Sequence, residues 1–358
     1  MNNEVRAPKL IDLFKVFLKL GTIGFGGPAA HVALMREEVV IKRSWLSEKE
    51  FFDLVGATNL IPGPNSTELA IHIGHRFGGW RGLLISGASF IFPAFLIVLV
   101  LAIFYQNYGT LPKVSSVLMA IRPVIIAVVV FALIGFRKSA VFSFSTLLTG
   151  ILSFVAAWNG YNEVLIVLFG GFLNHLFTLN FKRVRSVELL SLFFVFFKIG
   201  SVLFGSGYVL LAFLKSEFVD QRMWLTGQEL IDAVSVGQFT PGPVFTTATF
   251  VGYLLSGVKG AVLATLGIFL PSFFFVAVSA PFLSKLRNSK FFSVFLDGIN
   301  ASSFALMFSV TIQLTLESVF DLTTGFICML SLIGIQFFKL NSALLILTAG
   351  LIGYFFLS

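Results

Sequence analysis

Charge is scarce in this sequence. Asp, Glu, Lys and Arg make up 12% of its 358 residues, about half the share usual in a soluble domain. The windows from Leu83 to Tyr105 and from Ala261 to Ser284 contain none at all. Cysteine occurs once, at Cys328, which excludes a disulfide framework and a thiolate metal cluster. Four histidines, no His-Glu-x-x-His and no Gly-rich nucleotide loop argue against an enzyme or an ATP-driven pump. No cofactor pattern emerges. The net charge of +8 reads as loop lysines and arginines that orient a chain in a membrane, not as a nucleic-acid surface. The polar stretch from Met1 to Pro8 is not followed by a cleavable signal pattern.

What the sequence has is apolar length. It is 57% hydrophobic, and each charge-free window is long enough to cross a bilayer core of roughly 30 Å. The expectation is an all-α polytopic membrane protein in a lipid bilayer. The 45 phenylalanines read as core and lipid face.

Residues 10–106 repeat as 189–284. An offset of 179 pairs Lys19 with Lys198, Gly21 with Gly200, Phe25-Gly26 with Phe204-Gly205 and Trp45-Leu46 with Trp224-Leu225. It also pairs Glu50 with Glu229, Asn59 with Gln238 and the triplet Pro62-Gly63-Pro64 with Pro241-Gly242-Pro243. After the triplets the offset becomes 178, pairing Gly74 with Gly252, Gly79 with Gly257, Gly82 with Gly260 and Pro93 with Pro271. The parts 113–180 and 290–358 match only in hydropathy. The chain thus divides into a first repeat, 1–180, a linker, 181–188, and a second repeat, 189–358.

Each Pro-Gly-Pro triplet interrupts an apolar region, ending one helix and starting another. Proline lacks an amide hydrogen and suits a first helical position, so a helix is expected to start at Pro64. The amides of Asn65, Ser66 and Thr67 then lack intrahelical acceptors and, with the helix dipole behind them, form an anion site. The hydroxyls of Ser66, Thr67, Thr246 and Thr247 add donors. The flanking helices, about 50–61 and 64–75, reach only half way across a bilayer. A span at about 10–35, broken near Gly24 to Pro28, precedes them.

If each triplet pair is a re-entrant hairpin, each half has about five crossings and the second is inverted. Loop lysines and arginines then divide fifteen to six; if the pair crosses fully they divide ten to eleven. The positive-inside rule favours the hairpin. It places both termini outside and the 181–188 linker in the cytoplasm. Inverted halves of this kind are a transporter plan.

These residues resemble the chromate ion transporter family in its two-domain form. The carriers are Phe25-Gly26-Gly27-Pro28, Trp45-Leu46, Pro62-Gly63-Pro64, Gly78-Gly79-Trp80-Arg81-Gly82 and Pro93, with the echoes Phe204-Gly205-Ser206-Gly207 and Pro241-Gly242-Pro243. The resemblance implies a multi-pass permease of the cytoplasmic membrane that exports chromate, with sulfate as a close analogue. An anion channel built on the same half-helices is the alternative.

The candidate substrate site follows from the breaks. Gly26, Gly27, Gly205 and Ser206 let backbone approach a ligand, and close helix packing is the competing use of such glycines. Lys19 and Lys198 are repeat-related cations on apolar helices and would balance a dianion; snorkelling to the surface is the alternative. Asn59 and Gln238 precede the triplets and either donate to substrate or cap their helices. Glu68 is placed to bind a proton or to pair with His72 one turn on. Arg122, aligned with Asn300, lines the pathway or bonds a carbonyl. His31, His75 and His175 read as interfacial. A homodimer is expected only from the frequency of twofold oligomers.

Overall fold

The computed structural model describes residues 8–25, 27–109, 111–140, 144–171, 189–204, 209–280, 290–338, 340 and 342–356. The linker at 181–188 lies outside them, as do Gly26, His175, Gly205 and Ser206. Among the described residues the fold is helical throughout. The first repeat has α1 (Leu10–Ile23), α2 (Gly27–Arg36) running into a wider π-type turn (Glu37–Lys42), and α3 (Glu48–Thr58). It continues with α4 (Asn65–Tyr108), α5 (Pro112–Ala140), α6 (Phe144–Trp158) and α7 (Glu163–Gly171). The second has α8 (Leu189–Val202), α9 (Leu210–Leu214) running into a second π-type turn (Lys215–Gln221), and α10 (Gly227–Phe239). There follow a short 3-10 turn (Val244–Thr246), α11 (Thr247–Ser279), α12 (Lys290–Ser318), α13 (Leu322–Phe338) and α14 (Ser342–Phe356).

The matched glycines are hinges and contact points. Gly79 has φ 52° inside α4 and Gly257 has φ 59° inside α11, a left-handed geometry that glycine adopts without strain. At each the helix folds back on itself. A Cβ on Gly74 would lie 2.3 Å from the Gly82 carbonyl oxygen, and one on Gly252 would lie 2.4 Å from that of Gly260. Residues eight apart in a continuous helix would stand about 12 Å apart. So α4 is a short arm, 65–78, lying against a long arm, 80–108; α11 repeats the arrangement.

The short arm of α4 pairs with α3 as a half-membrane hairpin whose tip is Pro62-Gly63-Pro64. At its mouth Arg76 Nη2 lies 3.8 Å from Glu50 Oε1, and the rings of Trp45 and Phe77 sit 6.1 Å apart. The repeated glutamate of the sequence is a capping residue: Glu50 accepts from the Ser47 amide at 2.9 Å, and Glu229 from the Thr226 amide at 2.8 Å. The re-entrant expectation is met.

The segment at 10–35 corrects the sequence reading. It was expected to cross, but it turns back. Lys19 Nζ lies 2.7 Å from Glu38 Oε1, whereas nineteen residues of continuous helix would separate them by about 28 Å. Met35 and Val39 share a buried cluster with Leu13 and Val16. The break after Gly24 is therefore the tip of another hairpin. In the second repeat Lys198 meets Glu217 at 2.5 Å and Phe196 stacks near Phe218 at 4.9 Å.

The two repeats are inverted. The long arm of α4 starts beside the first repeat's mouth, where Gly78 and Gly82 approach Leu10 and Leu13. At its far end Tyr105 Oη donates to Asp232 Oδ2 at 2.8 Å, in the first half of α10 and so on the mouth side of the second triplet. The mouths thus face opposite ends of the bundle. Leu10 sits at one end, and Tyr354, packed over Lys113, at the other. Termini on a common side were expected; Leu10 and Tyr354 lie at opposite ends instead. Lys9, Lys42, Arg43, Lys49, Arg76 and Arg81 gather at the Leu10 end, and Lys113, Lys215, Arg222 and Lys259 at the other.

Side-chain exposure marks the lipid face. Phe92, Leu96 and Val100 on α4, and their repeat partners Leu270, Phe274 and Val278 on α11, are exposed at a spacing of four. Among the described residues, four helices are long and apolar enough to cross a membrane. The opposite face of each long arm is small and close-packed: a Cβ on Gly21 would lie 2.4 Å from the Phe90 oxygen, and one on Gly200 2.3 Å from that of Ile268.

Candidate functional site

The four hairpin tips converge. The Gly63 amide, in the first triplet, donates to the Leu203 carbonyl at the end of α8, at 2.7 Å. The Gly242 amide, in the second triplet, donates to the Gly24 carbonyl at the end of α1, at 2.9 Å. The offset of 179 that relates Gly63 to Gly242 also relates Gly24 to Leu203. The two bonds are symmetry mates, each tying a triplet to the helix break of the other repeat. Gly63 has φ 138° and Gly242 φ 90°, and both are packed too closely for a side chain. A Cβ on Gly242 would meet Ala94 at 2.7 Å; one on Gly63 would meet Glu68 Oε1 at 2.2 Å and Ser272 Oγ at 2.4 Å.

At the first triplet Pro64 is the helix cap and α4 begins at Asn65. The expected set of open amides shrinks by one, because the Thr67 amide bonds back to the Pro64 carbonyl at 2.8 Å. The amides of Asn65 and Ser66 precede the first intrahelical bond. Asn65 Nδ2 donates to Asn59 Oδ1 at 2.7 Å, so Asn59 clasps the tip and does not cap its own helix alone. Ser66 and Thr67 are buried, and so is Glu68. Among the described residues, Thr67 Oγ1, both Glu68 carboxylate oxygens, His72 Nε2 and Ser272 Oγ have no hydrogen-bond partner. Glu68 and His72 therefore do not pair.

His31 was read as interfacial and is not. It is buried, with Nε2 at 2.8 Å from the Gly24 carbonyl oxygen and Nδ1 at 3.2 Å from Ser66 Oγ. A neutral ring protonated on Nε2 satisfies both, donating to the carbonyl and accepting from the hydroxyl. Its equivalent in the second repeat is Leu210, so the polar cluster belongs to the first repeat.

The second triplet is drier. Thr246 Oγ1 donates to the Pro243 carbonyl and Thr247 Oγ1 to the Val244 carbonyl, both at 2.8 Å. Their hydroxyl protons, expected to face substrate, are turned onto their own turn. Gln238 is buried near Thr247, with Nε2 unpartnered among the described residues.

The two lysines stand apart from the tips, toward the two mouths. Glu38 takes Lys19 and also the Arg43 guanidinium; Glu217 takes Lys198 and the Arg222 guanidinium. The offset that pairs the lysines also pairs Glu38 with Glu217 and Arg43 with Arg222. Partial burial works to raise the Glu38 carboxyl, but hydrogen bonds from Lys19 and Arg43 outweigh it and hold the group at about 2. Lys42 Nζ also approaches Glu38, at 3.4 Å, and Glu163 lies close to Lys198 and Glu217, so both clusters extend beyond these triads.

Arg122 bonds a carboxylate, not a carbonyl. Its Nε and Nη2 each lie 2.8 Å from Asp232, on Oδ1 and Oδ2. With Tyr105 this ties α4 and α5 of the first repeat to α10 of the second.

Comparison with known proteins settles the family. The chromate transporter family model matches residues 11–175 and again 190–354. The chain belongs to the chromate transporter family. The chain is 30% identical to a chromate transport protein of Cupriavidus metallidurans over 370 residues, covering 96% of this chain and 92% of that one. It is 29% identical to a chromate transport protein of Pseudomonas aeruginosa, covering 96% and 91%, and 29% identical to an uncharacterised transporter of Methanocaldococcus jannaschii, covering 98% and 95%. No solved structure matches the chain. The double family match falls on the two inverted repeats, so this is a two-repeat, multi-pass member.

Four residues of the site went unread in the sequence. Glu38, Glu217 and Asp232 were legible in principle, because the repeat offset matches the first two with each other and Asp232 with Asp53. Ser272 carries no such signal, since its repeat partner is Ala94.

Proposed function

We propose that this chromate transporter family member is a secondary carrier exporting a tetrahedral oxyanion, chromate or its analogue sulfate, across the cytoplasmic membrane. The observation that carries the reading is the pair of crossed tip bonds, Gly63 to Leu203 and Gly242 to Gly24. They join half-membrane hairpins from opposite ends, as alternating access about a central site requires. The basic end of the bundle faces the cytoplasm.

A dianion in hydrocarbon needs dipoles in place of its water. The amides of Asn65 and Ser66, the α4 dipole and the hydroxyls of Ser66 and Thr67 supply them at the first tip. Gly27 brings backbone to the same region, Gly26, Gly205 and Ser206 remain candidates from the sequence alone, and Gln238 adds an amide donor from the second. Lys19 and Lys198 act at the mouths, where the clustered cations draw an anion toward the tips. This differs from lysines paired directly across the substrate.

Moving one charge through 100 mV is worth about 2.3 kcal/mol, so a dianion leaving an inside-negative cell gains about 4.6 kcal/mol. Moved without a proton, the dianion could sustain about three decades of gradient. Burial of Ser66, Thr67, Thr246 and Thr247 favours a carrier over a channel. In proteoliposomes, chromate flux is expected to saturate and to be accelerated by anion on the far side. Unitary electrical currents at channel rates would contradict the carrier.

A further inference from the structure

Glu68 has no place in a site that only attracts anions. It is wholly buried, one turn into α4, and faces the point where Gly63 lacks a Cβ, opposite Ser272 of the second repeat. Neither carboxylate oxygen has a hydrogen-bond partner among the described residues. The cations at the mouths are committed elsewhere, Lys19 to Glu38 and Arg122 to Asp232. The second repeat has no acid after its triplet, where residues 244–250 read Val-Phe-Thr-Thr-Ala-Thr-Phe. An ionised carboxylate shut from water without cation or donor costs several kcal/mol, and beside a dianion it would also repel.

We propose that Glu68 is ionised while the site is open to water, takes up a proton as the tips close on the oxyanion, and holds it as a neutral acid whose hydroxyl donates to the bound anion. Binding is thereby linked to one proton. The inference rests on the oxyanion reading of the tips and deepens it by naming the coupled ion. The step is a proton transfer only: Glu68 carboxylate plus a solvent proton gives the acid, which returns the proton when the anion leaves. Two other titratable groups approach the tip. His31, from α2, reaches it through Ser66, and His72 lies one turn beyond Glu68 on α4.

The test uses purified full-length protein and sulfate, a dianion that does not itself titrate in this range. Affinity is measured between about pH 6 and about pH 8, with proton uptake followed in weak buffer. Wild type is expected to bind more tightly as pH falls, by up to about tenfold per pH unit, the slope of one linked proton. Glu68→Gln, a neutral isostere, should bind sulfate without pH dependence and without proton uptake, while His31→Gln and His72→Gln keep the slope. A flat wild-type profile, an unchanged slope in Glu68→Gln, or loss of the slope in a histidine variant would overturn the proposal. Absence of both sulfate and chromate binding to wild type would instead sink the oxyanion reading, and this proposal with it.

Discussion

Replacing Arg122 by alanine tests how the repeats are held together. Asp232 has a side chain 1% exposed and Arg122 one 18% exposed, joined by two bonds of 2.8 Å. Removing the guanidinium leaves the carboxylate buried with only the Tyr105 hydroxyl, a loss of about 3–5 kcal/mol. At about 2.1 cal per mol per kelvin per residue, a chain of this length should melt about 5 °C lower. Asp232→Leu alone strands a cation that is partly wetted and should cost about 2 kcal/mol. The double variant Arg122→Met, Asp232→Leu removes both charges and should recover most of the loss. The assay is the folded fraction surviving a heat ramp in mild detergent, read by size exclusion. A single Arg122→Ala melting with wild type, or a double variant worse than either single one, would refute the reasoning.

Gly74→Ala should lower folded yield, because its Cβ would sit 2.3 Å from the Gly82 backbone oxygen; overpacking of this kind costs about 1–3 kcal/mol, and Gly252→Ala should match it in a melting scan. The Glu38 triad is expected to fail in acid. With the folded group at about 2 against an ordinary 4.5, its contribution is whole above pH 4.5 and drains as pH falls toward 2, so Glu38→Gln should melt lower than wild type near neutrality and converge with it in acid. Arg76→Gln breaks only the exposed contact to Glu50 at 3.8 Å and should change stability by less than about 1 kcal/mol in the same scan. Ser66→Ala should weaken sulfate binding more than Thr246→Ser does, since the Thr246 hydroxyl is already bonded to Pro243 at 2.8 Å; calorimetric titration of both variants decides.

The hairpin at each triplet was legible because proline and glycine punctuate a helix locally, and because a repeat doubles every such mark. Gly79 and Gly257 were legible as matched positions; that they fold each helix back on itself was not. The turned-back segment at 10–42 was hidden for a related reason. Its apolar length equals that of a crossing, and only the bond from Lys19 to Glu38 shows its direction. The lysines drew attention because an unpaired cation in hydrocarbon asks for a ligand, yet the partner lies nineteen residues on, beyond any helical spacing. His31 looked peripheral because its neighbours in sequence are ordinary; its role comes from Gly24 and Ser66, which the tips bring together. Asp232 likewise gains its meaning from Arg122 and Tyr105, more than a hundred residues away.

The central claim is that an oxyanion occupies the junction of the tips beside Ser66. The most direct measurement is protection of a cysteine placed there, Ser66→Cys, in a Cys328→Ser background, against a small cationic thiol reagent. Sulfate serves as the anion, since chromate oxidises thiols. The account predicts that sulfate slows labelling in a saturable way, half-maximal near its transport KM, while leaving a cysteine at the exposed Trp80 position untouched. Labelling of Ser66→Cys at the same rate with and without saturating sulfate, in protein that still transports it, would contradict the account.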